Sequence, residues 1–245
     1  MIRLISILSF VLFATTAHAT SVIVPYAPGG QAAIVFGELN KSIPNLIAEY
    51  IPGAGGNLGM MRHVQRDKSL LLVGEAIYHN GTRQPNGYPT DILKVSKPVF
   101  VLRGAYYAIY TNTNVPFGST NPIIFGASAP GSASHTATTE LCRTLNCIIV
   151  PYMSSGRILP DLMRGEIHAM IAGLTMRQNL VDDKRISIHA ILGPSIDGIP
   201  SYGSYEYAST IGLYAKGYTD SEIAELRKLI RLDPVALGFT TLDME

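Results

Sequence analysis

Ser21-Val22-Ile23-Val24-Pro25-Tyr26-Ala27-Pro28-Gly29-Gly30-Gln31 is the stretch on which the reading of this chain turns. A short β-favouring run enters a turn rich in proline and glycine, and a helical pattern begins near Gln31. A strand that ends in Gly-Gly just ahead of a helix can present backbone N–H groups beside the positive end of the helix dipole. That arrangement favours an anion by roughly 0.3–1 kcal/mol, and by up to about 2 kcal/mol when partly buried. A Gly-Gly pair serves equally well as a purely structural turn, so the segment alone assigns no site.

The same unit recurs along the chain. Short apolar runs at 70–73, 99–102, 123–125, 148–150 and 168–172 alternate with helix candidates that start near Gly56, Ser134 and Ser155, the last with Gly165 as its C-cap. The alternation predicts α/β layers with parallel strands, a class in which ligands bind at the C-terminal ends of the strands. A late helix is announced by Thr219 and Glu222 at capping-box spacing, with Ile223, Leu226, Leu229 and Ile230 lining one face. No internal repeat is present.

Residues 1–19 read as a secretory signal: Arg3, an apolar run over 4–15, then Ala17-His18-Ala19 ahead of cleavage. The run is shorter than the roughly 20 residues a spanning helix needs, so the mature chain is expected to start at Thr20 and to be soluble and periplasmic. With 245 residues it has the length for one large domain or two small ones. Lys and Arg number 19 against 18 Asp and Glu, with no basic cluster, which argues against nucleic acid or an anionic membrane surface as partner. Cys142 and Cys147 stand five apart, as a small-loop disulfide after export or as two buried thiols. Neither has the spacing of a metal ligand, and no metal or cofactor is expected.

A second strand-loop-helix unit, Gly126-Ala127-Ser128-Ala129-Pro130-Gly131-Ser132-Ala133-Ser134-His135, offers hydroxyls and amides that would surround a carboxylate with neutral donors. Ser132 or Ser134 serves as readily to cap the helix. The start of this unit also resembles a nucleophile elbow, which would make Ser128 a hydrolase serine, but Pro130 stands where that motif needs its last glycine. Nothing in the sequence places His135, His168 or His189 beside Ser128 as a base. In Gly53-Ala54-Gly55-Gly56-Asn57-Leu58-Gly59 the third glycine of a dinucleotide fingerprint is replaced by Leu58, and a helix-entry turn explains the segment better.

Taken in order, these segments resemble the substrate-binding proteins of tripartite tricarboxylate transporters, the Bug family. The likeness runs through Val24-Pro25-Tyr26-Ala27-Pro28-Gly29-Gly30, the Gly53 and Gly126 segments, Val150-Pro151-Tyr152, Leu159-Pro160-Asp161-Leu162 with Gly165-Glu166-Ile167, and Gly212-Leu213-Tyr214-Ala215. It implies a two-lobe periplasmic binding protein fold of type II-like organisation, with 20–107 plus 195–245 as one lobe and 108–194 as the other. Strands near 106–110 and 188–192 would be the hinge. It further implies that Tyr26, Ala27, Pro28, Gly29, Gly30 and Gln31 face Ser128, Gly131, Ser132, Ala133 and Ser134 across a cleft. The loop of Tyr152, Ser154, Ser155 and Gly156 would complete the second lobe's contribution. The implied function is capture of a small organic acid by a monomer that delivers it to integral membrane subunits, without catalysis. A periplasmic sensor or adaptor on the same fold is the alternative.

The chain departs from the family pattern in several places. Ala33 and Ala172 stand where acidic residues are common, and Glu75 stands where small hydroxyl residues are usual. Glu75 either points to solvent or lies near the pocket, in which case the ligand would be less acidic, zwitterionic or amide-like. A helix between the strands near 109 and 123, and the last helix after Leu232, are also missing from the pattern.

Overall fold

The computed structural model describes residues 20–74, 92–128, 130–180, 184–204 and 207–244. Ten strands form one continuous sheet: β1 (Thr20–Val24), β2 (Leu46–Tyr50), β3 (Ser69–Gly74), β4 (Lys97–Asn112), β5 (Ile123–Ala127), β6 (Cys147–Pro151), β7 (Ala169–Gly173), β8 (Ile186–Leu192), β9 (Ala208–Lys216) and β10 (Thr241–Asp243). The helices are α1 (Gln31–Ser42), α2 (Asn57–Gln65), the single turn α3 (Ile92–Val95), α4 (Ala133–Leu141), α5 (Ser155–Arg164) and α6 (Asp220–Leu229). Short 3-10 stretches occupy Ala54–Gly56 and Leu174–Asn179.

The order across the sheet is β2-β1-β3-β9-β4-β7-β5-β6, with β8 and β10 also paired to β4. β4 ties the halves together: its residues up to Tyr106 pair with β9 and β10, and those from Tyr107 onward with β7 and β8. Parallel pairing, expected throughout, holds for β1 with β2 and β3 and for β5 with β6 and β7. β4, β8, β9 and β10 run antiparallel to their partners. The reason is topological: a chain that leaves one half along β4 and later returns must enter the sheet in the opposite sense.

Each half is a sheet covered on both faces, and this is why its strands read as unbroken apolar runs. In β1, Val22 and Val24 face the core beneath α1 and α6, while Ile23 faces the α2 side with Met60. β3 repeats the split, with Leu70 and Leu72 on one side and Leu71 and Val73 on the other. In the second half Ala108, Tyr110, Met170 and Ala172 pack toward α5, while Tyr107, Ile109, Ala169 and Ile171 pack toward α4. Burying each Leu or Ile of these runs is worth about 1.5–3 kcal/mol.

Local signals behave as their chemistry dictates. Gly165 ends α5 in the left-handed region (φ 77°) and donates its N–H to the carbonyls of Asp161 and Leu162. At α6, Thr219 Oγ1 accepts from the Glu222 N–H (3.2 Å), and the Glu222 carboxylate accepts from the Thr219 N–H (2.8 Å). Thr219→Ala is therefore expected to cost about 1 kcal/mol in a urea unfolding titration. The face of this helix differs from the reading above, because Leu229 is 48% exposed. At 100° per residue it stands roughly 120° around from Ile223, whereas Ile230, seven residues on, returns to within about 20° of Ile223 and is buried with it.

Cys142 and Cys147, at the end of α4 and the start of β6, are paired as a disulfide with their Cα atoms 5.4 Å apart. Turns fill the span between β4 and β5, and no helix forms there. Thr241–Asp243, as β10, pairs with β4. Among the described residues no helix is long and apolar enough to cross a membrane.

Candidate functional site

Three strand-to-helix turns meet where the two halves of the sheet join. β1 leads through Pro25–Gly30 into α1, β5 leads through Ser128 into α4, and β6 leads through Tyr152 and Met153 into α5. Because β1, β5 and β6 present their C-terminal ends on one side, the N-terminal ends of all three helices converge there. They border a cavity of about 90 Å³. One water needs about 10–15 Å³ by the same measure, so the space suits a ligand of several heavy atoms.

The described wall of the cavity is made of neutral groups. Its lining, among the described residues, contains no Asp, Glu, Lys, Arg or His. Electrostatics are supplied by helix ends, each equivalent to roughly half a positive charge. Gly30 and Ser154, the N-caps of α1 and α5, provide no side-chain cap to their first turns. Ser132 caps α4 by accepting from the His135 N–H (3.2 Å), and Ser128 Oγ is bonded to Ser132 Oγ (3.0 Å) and to Ser134 Oγ. These hydroxyls form a cluster able to turn donors toward an anion.

The floor is the strand junction. Tyr107 of β4 pairs with Gly173 of β7, and Ser209 of β9 pairs with Ala105 two residues earlier on β4. Burial pushes the Tyr107 phenol up to about 12, partly offset by its hydrogen bond with Ser209. Gln31 spans the halves: its Nε2 donates to Thr175 Oγ1 (2.8 Å), and its Oε1 accepts from Ser209 Oγ (3.2 Å). Above it, Ser154 Oγ donates to the Pro28 carbonyl (3.1 Å), and Gly156 lies against the backbone of Gly29.

Of the residues expected at a site, Tyr26, Ala27, Gly30, Gln31, Ser128, Ser132, Ala133, Ser134 and Ser155 line this cavity. Pro28 and Gly29 sit beside it and make the contacts between halves just described, while Gly131 forms the turn ahead of α4 with φ 85°. Tyr152 is diverted. Its hydroxyl donates to Asp161 on α5 (2.5 Å), and burial together with that carboxylate holds the phenol near 12. Glu75 lies outside the described residues.

The sequence did not reveal Ala32, Gly74, Tyr107, Met153, Gly173, Met176, Ser209, Thr210 or Ile211 as parts of the lining, which Ala33 and Ser154 also join. The pleat offered a signal at the strand ends, but only the crossing of β4 between halves brings these residues to one place. Of the histidines considered as a base for Ser128, His135 stands in the first turn of α4 with its backbone N–H on Ser132 Oγ, and the other two lie elsewhere. His168 Nδ1 is bonded to Thr120 Oγ1 (2.8 Å), and His189 stacks on Phe117 with ring centroids 4.5 Å apart.

The architecture is that of the periplasmic binding proteins. The chain matches the periplasmic binding protein BugD with a TM-score of 0.76 at 18% identity, over 90% of this chain and 87% of that one. It matches MatC of Rhodopseudomonas palustris with bound malate with a TM-score of 0.70 at 18% identity, over 90% and 89% of the two chains. For the R. palustris protein Rpa4515 with adipate the TM-score is 0.72 at 18% identity, over 86% and 81%. At these identities the likeness establishes the fold. No protein-family model and no curated protein sequence matches the chain.

Proposed function

We propose that this chain is an extracytoplasmic solute-binding protein that captures a small carboxylate between its two halves. Within that class it serves as the substrate-binding component of a tripartite tricarboxylate-type transporter, a member of the Bug family. The observation that carries the proposal is the convergence of three helix N-termini, α1 from one half and α4 and α5 from the other, on a cavity with no charged side chain in its described lining. A carboxylate there is held by backbone amides and by the hydroxyls of Ser128, Ser132 and Ser134.

The halves act as lobes, 20–107 with 195–245 against 108–194, and move about β4 and β8. Only their closed arrangement brings all three helix ends to the ligand, so binding shifts the population toward closure and makes or breaks no bond. Residues 1–19 direct export, and the closed form is the one offered to the membrane subunits. The malate and adipate held by two proteins of the same fold support a small organic acid as the ligand.

A thermal-shift screen of the purified protein against mono-, di- and tricarboxylates, amino acids and neutral amides tests this. A ligand at about 100 times its dissociation constant adds roughly 2.7 kcal/mol, a rise of roughly 5–10 °C for a protein of this size. Stabilisation by acids is the expected result. A screen in which neutral amides stabilise the protein and acids do not would reject a carboxylate site.

A further inference from the structure

We infer that the ligand is a monocarboxylate with an uncharged body, an inference that rests on the carboxylate-binding reading above and narrows it. The charge balance of the cavity carries the argument. Three helix ends at roughly half a positive charge each supply about one and a half charges, enough for one carboxylate and short of two. Among the described residues, no Lys, Arg or His in the lining is available to meet a second. The cation nearest in sequence to the lining, Arg177 beside Met176, is committed to Asp197 (2.8 Å).

The part of the cavity away from the helix ends points the same way. Met176 is fully buried, Ile211 is 3% exposed and Tyr107 is 8% exposed. These residues offer van der Waals contact and one phenol, whose hydroxyl is already bonded to Ser209. Gln31 spends one amide hydrogen on Thr175 and its oxygen accepts from Ser209, so it offers a ligand at most a neutral N–H and no charge. A second carboxylate lying along this floor would give up its hydration without a counter-charge or a set of helix-end amides, which weakens binding and favours its protonated form. An alkyl or aryl body meets no such penalty, and the thioether of Met176 adapts to its shape.

The test compares acids matched in length by isothermal titration calorimetry at pH 7.5, using the purified protein. One set is hexanoate, monomethyl adipate, adipate and hexanamide; the other is butanoate, monomethyl succinate, succinate and butanamide. Monoacids and monoesters are expected to bind at least tenfold more tightly than the diacid of the same length, with the diacid gaining on them as the pH falls toward 5 and one carboxyl takes up a proton. A diacid that binds as tightly as its monoester at pH 7.5 would overturn this inference and leave the carboxylate site standing. Binding of the amides without the acids, or of none of the eight compounds, would overturn both.

Discussion

Gly156→Ala is expected to lower affinity for a ligand held between the two halves by on the order of 100-fold, equivalent to about 2.7 kcal/mol, while the unliganded protein remains as stable as before. Gly156 sits in the first turn of α5, with helical backbone that alanine accepts and even favours. A methyl group there would lie 2.4 Å from the Gly29 carbonyl oxygen, 2.6 Å from its carbon and 2.8 Å from its Cα. All three are backbone atoms, so no side-chain rotation relieves the contact and the β1–α1 turn must move away from α5. Separating those elements pulls apart the helix ends that hold the anion, and the cost falls on the closed state alone.

Gly37→Ala is the control, because that position in α1 has no atom within 4 Å of an added Cβ and the change should add up to about 1 kcal/mol of stability without touching binding. Calorimetry with the best ligand from the screen reads the affinity, and small-angle scattering reads whether the liganded variant still becomes more compact. Full affinity in Gly156→Ala would mean that closure does not bring these backbones together.

The second large effect is acid destabilisation through His63. The imidazole is fully buried, with Nδ1 2.7 Å from Ser69 Oγ and Nε2 2.8 Å from Ser96 Oγ. In either neutral tautomer one ring nitrogen donates to its serine while the other accepts from the second serine, and Ser69 Oγ also lies 3.1 Å from the His63 carbonyl. The neutral ring is thereby fully satisfied. Burial, and then the nearby Lys216 and Arg66, push its pKa down to about 4 from 6.5.

The unfolded chain takes up this proton as the pH falls through about 6.5, and the folded chain does so only near 4. Stability is therefore present in full above pH 6.5 and is lost as the pH drops through that window, by about 2 kcal/mol at pH 5 and about 3 kcal/mol in all. Urea unfolding at pH 7.5 and pH 5.0 measures the loss. His63→Gln lowers stability at both values but should remove most of the difference between them. An undiminished pH dependence in that variant would assign the acid sensitivity to other groups.

How far the sequence disclosed the fold depended on how each residue is buried. Runs such as 70–73 were legible because strands covered on both faces carry apolar residues at every position, and Thr219 with Glu222 was legible because a capping box is local chemistry. β2 and β10 were not. They are half-exposed strands at the sheet margin, of mixed composition, and what makes them strands is the partner they lie against. The same division holds at the site. The two glycine- and serine-rich turns announced themselves by composition, whereas Tyr107, Met176 and Ile211 look like ordinary core residues until the fold brings their strands together.

The sequence by itself determined the layered α/β class, the starts of the principal helices and the turns that could hold an anion, because each of these is set by residues within one or two turns of chain. The tertiary structure alone decided that β4 and β9 run antiparallel to their neighbours, that three helix ends meet at one cavity, that Tyr152 turns to Asp161 and that Gly29 rests on Gly156. Those features depend on contacts between segments distant in the chain, or on which of two neighbours a side chain reaches first, and no local pattern encodes either.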